Sequence, residues 1–299
     1  MTTSNSPRAV AQTALLSAQK VVSPYRHLCS PKKYTQPQLL ACFVLKEFFR
    51  TDYRGITAIL EDSSDLQMIL GLIHVPHYTT LQKASKALLK RKEIHKLITS
   101  ILSIATEEHI MQPTVRIAAM DGTGFESHHE SRYFVERRRM VGYEYESSIY
   151  KRFPKVGIVC DTKTHLILSG IPEQGPQFDR THYLAALTEA TKQKQIAVLV
   201  ADAIYGSEKA HVFAHSLGVR AIMPPKLGRP TEKLPSGYYR RKMALRFPKK
   251  LYRNRAQVET VMSMLKRNFD SFMRARSFQS RGREILLRIF AHNVMIVLA

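Results

Sequence analysis

The stretch IAVLVAD, residues 196–202, carries no charge and no large polar side chain until it ends on Asp202. An unbroken short run of Ile, Val and Leu is what a strand buried on both faces needs, because neither side of it meets water. VRIAAMDG (115–122) has the same character and closes on Asp121-Gly122. Between the two lie KVGIVCD (155–161) and HLILSGI (165–171), read as a strand pair joined by the turn Asp161-Thr162-Lys163-Thr164. RTHYLAALTEATK (180–192) follows as a helix with Asp179 as its cap. SEKAHVFAHSLG (207–218) is a helix with a Gly stop, and VRAIMPP (219–225) is a further short strand. The order strand, strand, strand, helix, strand, helix, strand specifies an α/β domain, a mixed sheet with helices on both faces.

Outside this block the pattern changes. Residues 1–35 are polar and punctuated by Ser and Pro, and read as a flexible arm. Residues 36–110 carry helical periodicity: QPQLLACFVLKEFF (36–49), shorter helices near 53–61 and 65–72, then VPHYTTLQKASKALLKRKE (75–93) with Thr79 or Thr80 as N-cap. Short helices, a tight turn and a Lys-rich last helix fit a helix-turn-helix DNA reader, and equally a plain helical bundle with a solvated basic face. Residues 111–299 form the second, larger domain, in which a Pro/Gly/Lys-rich link (224–250) leads to a last group of helices. The terminal run ILLRIFAHNVMIVLA (285–299) is interrupted by Arg288 and His292 and is short for a membrane span, so it reads as a core helix. With no uninterrupted apolar segment near the N-terminus, the expected protein is soluble and cytoplasmic, without a membrane partner.

The chain holds 46 Lys+Arg against 24 Asp+Glu, a net charge of +22. Residues 220–299 alone hold 19 Lys+Arg and 4 Asp+Glu, so 15 of the excess charges sit there. A bias of this size points to a polyanionic partner, foremost nucleic acid, over a merely soluble basic surface. Cys29, Cys42 and Cys160 are far apart, with no metal-ligand spacing, and read as idle thiols of a reducing compartment.

The basic region contains LYRNRAQVETVMSMLKRNF (251–269). On a helix of about 100° per residue, with Glu259 as zero, Tyr252 falls near +20°, Arg255 near −40° and Lys266 near −20°. Val258, Val261, Met264, Leu265, Phe269 and Phe272 make the opposite, apolar stripe. One carboxylate flanked by two cations and a phenol suits a metal ligand beside a phosphate grip. Asp121 and Asp202 each end an apolar strand, where open α/β sheets bind ligands. Together with Glu259 they offer hard oxygen donors for Mg²⁺ or Mn²⁺, and two such ions serve phosphodiester displacement. Each residue also has a plainer reading: Asp121-Gly122 as a turn, Asp202 as an N-cap, Glu259 as a surface acid. Their conjunction in one very basic chain favours the site.

The motifs MDGTGF (120–125), VADAIYG (200–206) and YRNRAQVETVMSMLK (252–266) resemble those of DDE transposases of prokaryotic insertion sequences. The last matches the family pattern Y-x2-R-x3-E-x6-K at every fixed position, and the likeness covers roughly residues 110–299. It implies a ribonuclease-H-like catalytic domain in which Asp121, Asp202 and Glu259 hold two divalent cations, Mg²⁺ or Mn²⁺. It also implies that Tyr252, Arg255 and Lys266 grip phosphates of double-stranded DNA at the element's terminal inverted repeats. The activity implied is cleavage at element ends and transfer of the 3′-hydroxyls into target DNA, by a homodimer associated with the nucleoid. A ribonuclease-H-like repair or junction nuclease, or a non-catalytic DNA-binding derivative, is the alternative. Only about 57 residues separate Asp202 from Glu259, too few for the large β-rich insertion of some relatives, and the chain has no Trp.

Overall fold

The computed structural model describes residues 3–27, 29, 31–126, 153–175, 181–225 and 234–298. Asp179, most of the Arg-rich stretch after Glu126 and part of the 224–250 link lie outside the described residues. Five strands form one sheet: β1 (Thr114–Gly124), β2 (Phe153–Asp161), β3 (Ile167–Gly175), β4 (Gln195–Ala201) and β5 (Arg220–Ile222), in the order β3-β2-β1-β4-β5. β2 is antiparallel to β1 and to β3, whereas β4 and β5 run parallel to β1. The parallel strands are reached through α7 (Tyr183–Gln193) and α8 (Glu208–Ser216). This is the ribonuclease-H-like arrangement.

Helices press on both faces of the sheet. Gly157 pairs with Ile171 and Ile158 with Gly170, so the two glycines face opposite sides. A Cβ on Gly170 would lie 2.2 Å from Ile289 Cδ1 of α12 (Phe278–Val297), and one on Gly157 would lie 2.1 Å from His182 Cδ2, just ahead of α7. Glycine at these two positions is what lets the layers approach.

The N-terminal region consists of α1 (Pro7–Val21), α2 (Gln36–Phe48), α3 (Tyr53–Glu61), α4 (Ser64–Leu70), α5 (Tyr78–Leu88) and α6 (Arg91–Glu107). Residues 1–35 are therefore not simply an arm. Ser6 caps α1 with Pro7 behind it, and Val10, Ala11, Ala14, Ser17 and Ala18 are buried against α2, α4, α6 and α12. Small residues at helical spacing pack closely without making the segment strongly apolar. Other expectations shift by a few residues. His77, not Thr79 or Thr80, caps α5. β1 runs past Asp121-Gly122 to Gly124, so that dipeptide is not a turn. The 224–250 link contains a helix, α9 (Tyr238–Leu245), whose first amides, Tyr239 N and Arg240 N, are bound by the Glu208 carboxylate of α8 at 3.1 Å each. The helix expected over 251–269 is divided into α10 (Lys249–Tyr252), a 3₁₀ turn at Arg253–Arg255 and α11 (Ala256–Phe269). Val258, Val261, Met264, Leu265 and Phe269 are buried as expected, but Phe272 lies beyond the helix end.

The two polar interruptions of the C-terminal run are core groups. Burial lowers the His292 imidazole to about 4, so it is neutral, and its Nε2 lies 3.0 Å from the His165 carbonyl. Arg288, 2% exposed, joins α12 to α2 and to the loop after α11. Its guanidinium reaches Glu47 Oε2 at 3.2 Å, and Glu284 Oε1 and the carbonyls of Asp270 and Phe272 at 2.8 Å. Burial alone pushes Glu47 up, but Lys46 and Arg288 beside it outweigh that and hold the carboxyl below its ordinary range. No described helix is long and apolar enough to cross a membrane.

Removing Arg288 leaves Glu47 and Glu284 buried without their shared cation. Arg288→Ala is expected to cost about 3–5 kcal/mol in denaturant unfolding, and a loss near that of an exposed pair would contradict the network. Because folding lowers the Glu47 pKa, its contribution is full above the unfolded carboxylate pKa and is lost as pH falls through the folded value. Acid titration of Glu47→Gln should lack that component.

Candidate active site

The register of β1 and β4 decides where the acids stand. Their parallel pairing ends with Met120 opposite Ala201, so the next residues, Asp121 and Asp202, leave adjacent strands at the same level. There the strands part. β1 continues against β2 through Gly124, while the chain after Asp202 turns into a 3₁₀ helix at Ala203–Tyr205. The divergence opens a notch between the two carboxylates. Asp121 pairs with Ile158, which places its side chain on the face that packs α11 and α12.

One oxygen of each aspartate is committed to a backbone amide: Asp121 Oδ1 accepts from Gly122 N at 2.8 Å, and Asp202 Oδ1 from Ala203 N at 2.6 Å. Asp202 is thus the cap that its plainer reading expected, with its other oxygen still directed by the same fixed carboxyl plane. Asp121 Oδ2 accepts from Arg255 Nη2 at 3.0 Å, and Arg255 Nη1 donates to Glu259 Oε1 at 2.7 Å. A single guanidinium therefore spans a strand carboxylate and a helix carboxylate. Side-chain exposure rises from Asp121 (16%) through Arg255 (24%) to Glu259 (56%), so the cluster opens outward along α11.

The surrounding charges report the same convergence. Burial pushes the Tyr252 phenol up; Arg255 opposes the shift, and Asp202, Asp121 and Glu259 add to it. The hydroxyl stays protonated at neutral pH and can donate a hydrogen bond. Burial disfavours the Arg255 charge, but Asp121, Glu259 and Asp202 outweigh it and raise its pKa. Both groups thus feel all three acids. Lys266 stands two turns further along α11, 5.9 Å above the Phe125 ring that follows β1. Glu259, Met262, Ser263, Lys266, Arg267 and Asp270 line a groove of about 490 Å³ leading away from the notch.

The acids do not form a closed metal cage. Among the described residues no three His, Cys, Asp or Glu side chains converge on one point, because Arg255 lies between Asp121 and Glu259. The donor set nonetheless suits a hard divalent cation: carboxylate oxygens, open to water on the Glu259 side, with a cation already needed to offset their repulsion. The cysteines stay outside the site. Cys42 and Cys160 are buried, and burial raises the Cys42 thiol to about 12. Asp161 belongs to its turn, accepting from Lys163 N, Thr164 N and Thr164 Oγ1 at 3.2, 3.3 and 2.6 Å. A buried Glu173–His182–Tyr205 network on the other face of the sheet has no counterpart in the sequence reading, since its members share no periodicity.

Fold and acidic notch together define a ribonuclease-H-like domain with carboxylates gathered at the ends of its central parallel strands. Residues 113–294 match the family model described as the transposase DDE domain, more than half of the chain, and the chain belongs to that family. Two solved structures show a remote likeness. A pre-cleavage Mos1 transpososome is 12% identical, covering 91% of this chain and 81% of that one with a TM-score of 0.25. The Mos1 mariner paired-end complex with Mn is 13% identical, covering 94% and 85% with a TM-score of 0.26. Overlap at this level equates no individual residue. No curated protein matches significantly.

If Arg255 offsets the repulsion of the acids, its loss should be compensated by a divalent cation. Arg255→Gln is expected to lose about 1–2 kcal/mol in chelator, allowing for partial exposure. Thermal unfolding should show a larger Mg²⁺-dependent recovery than in the wild type. An identical Mg²⁺ response in both proteins would count against the offset.

Proposed function

We propose that this chain is a transposase that cuts DNA at the ends of a mobile element and transfers the freed 3′-hydroxyls into target DNA. Asp121, Asp202 and Glu259 serve as ligands of two Mg²⁺ or Mn²⁺ ions. The observation that carries this reading is the β1–β4 register, which sets Asp121 beside Asp202 while α11 brings Glu259 to the same cluster through Arg255. Bound there, the ions supply a more acidic water and neutralise charge on the departing oxygen.

The chain's own residues do the rest. Asp121 and Asp202, each held by a backbone amide, keep fixed orientations and lose little freedom on binding. Arg255 exchanges its carboxylates for the two non-bridging phosphate oxygens, with which its planar fork makes a bidentate contact. The neutral Tyr252 hydroxyl donates to the same phosphate group, and Lys266 places a point charge further along the groove. In the first step a water oxygen bonds to phosphorus and the P–O3′ bond breaks, leaving a 3′-hydroxyl and a 5′-phosphate. In the second, that hydroxyl bonds to a target phosphorus and displaces the target's own 3′-oxygen. Exposed Lys83, Lys86, Lys90, Arg91 and Lys92, on α5 and at the start of α6, supply further duplex contacts, and two copies act on paired inverted repeats.

The test is an assay of the purified chain with Mg²⁺ or Mn²⁺ and a fragment bearing the element's terminal repeats; cleaved and joined products are expected. Cleavage without joining would identify a nuclease, and binding without either a non-catalytic derivative. Glu259→Gln should abolish both steps and leave end binding largely intact, whereas wild-type cutting by this variant would remove Glu259 from the metal site. Separately, Lys266→Ala should flatten the slope of log K against log salt by about one. An unchanged slope would take Lys266 off the phosphate.

A further inference from the structure

The polar network on the α7 face has no part in the chemistry above, yet it ends beside it. Glu173 of β3 accepts from Thr181 Oγ1 at 2.6 Å and pairs through Oε2 with His182 Nδ1 at 2.9 Å. His182 Nε2 meets the Tyr205 hydroxyl at 2.8 Å. His182 and Tyr205 are each 1% exposed, and the Glu173 side chain is 9% exposed. In the tautomer that donates Nδ1–H to the carboxylate, Nε2 accepts the phenolic proton, so the chain has one hydrogen-bonding sense.

Tyr205 closes the turn that begins at Asp202. Its amide donates to the Asp202 carbonyl at 3.1 Å, Gly206 N donates to Ala203 O at 2.9 Å, and Ser207 N donates to Tyr205 O at 2.7 Å. The Asp202 carboxylate is itself bound to Ala203 N inside that turn. Any rotation of the turn therefore carries the carboxylate with it. Tyr205 packs against Tyr183 and His182, with ring centroids 5.7 and 5.6 Å away. A phenylalanine would fill this space. Burying a carboxylate and an imidazole to satisfy one phenol costs desolvation that volume alone does not require. What the hydroxyl adds is a fixed direction, anchored to β3 from the side of the sheet opposite α11.

We propose that Glu173, His182 and Tyr205 form a positioning relay that holds the turn after β4 and so sets the Asp202 carboxylate beside Asp121. Its effect on divalent-cation affinity rests on the ligand role proposed above for Asp202; its effect on the turn does not.

The experiment uses the full chain without DNA. Mn²⁺ affinity is read by electron paramagnetic resonance titration, turn stability by amide hydrogen exchange, and global stability by thermal unfolding in chelator. Tyr205→Phe should weaken Mn²⁺ about tenfold and speed exchange at Tyr205 and Gly206 about tenfold, with an unfolding temperature close to wild type. Glu173→Ala should do the same, and Glu173→Gln, which keeps an acceptor for Nδ1–H, should recover most of both. Unchanged exchange in Tyr205→Phe would overturn the relay. So would a lowered unfolding temperature with Mn²⁺ affinity intact, the mark of plain core packing. If the wild type binds no Mn²⁺, the ligand role of Asp202 fails, and the exchange rates alone decide the relay. Should Glu173→Ala not fold, Tyr205→Phe, which preserves packing volume, is decisive.

Discussion

Parallel pairing of β1 with β4 runs as far as Met120 and Ala201, and the two chains then separate in different directions. Two carboxylates released at the same level of neighbouring strands repel each other at close range, so this arrangement persists only where positive charge is supplied. Everything else near the site answers that requirement. Arg255 approaches from the far end of the chain to bind Asp121, and the same guanidinium recruits Glu259 one helical turn later. The 3₁₀ turn at Arg253–Arg255 ahead of α11 is the local departure that accompanies this approach. The strand register thus determines both where the acids meet and which cation must join them.

The counter-charge is internal in the protein alone, and the proposed reaction makes it exchangeable. Arg255 offers the acids what a divalent ion offers, and offers a phosphate what the acids offer it. In that proposal, binding an ion and a phosphodiester together would let each partner of the internal ion pair take an external one, so neither charge would be left unpaired. Ahead of Glu259 the sequence is one-sided: from Leu234 to Val258 it has no Asp or Glu, while it carries Arg240, Arg241, Lys242, Arg246, Lys249, Lys250, Arg253 and Arg255. The excess positive charge is therefore dense in the segment that leads into α11, in keeping with the polyanionic partner of the proposed reaction.

Features carried by contiguous residues were legible in the sequence, and features made by distant partners were not. The strands announced themselves because burial on both faces demands unbroken apolar runs, and α11 did so through its apolar stripe. α1 escaped notice because Ala and Ser fill its interface, which signals close packing only once α2 and α6 are in place. α9 escaped because its N-terminal amides are satisfied by Glu208, a carboxylate some 30 residues away. Arg288 and His292 looked like interruptions of an apolar helix; their partners, Glu47 and the His165 carbonyl, come from other elements. At the candidate site the sequence could nominate the three acids and the Tyr/Arg/Lys set, because each lies in a short contiguous motif. That Arg255 would occupy the space between two of the acids could not, since it depends on Asp121, a partner 134 residues away in the chain.

The N-terminal helices also belong to the mechanics of the site. At the end of α11, Arg50 Nε donates to the Asn268 carbonyl at 2.9 Å, a cation satisfying a last-turn carbonyl. Arg288 holds the Asp270 and Phe272 carbonyls just beyond, and Arg274 Nη1 reaches back to Thr51 O at 2.7 Å. Residues after β1 join the same place, with Glu126 N donating to Ser271 O and Met273 N to Glu126 O, each at 2.9 Å. The strand bearing Asp121 and the helix bearing Glu259 are therefore tied together twice, through Arg255 at the notch and through this junction beyond it. Because α2 and the turn after it supply part of the second tie, the helical region cannot shift without loading the helix that carries Glu259. The N-terminal helices and the acids are parts of one packed body.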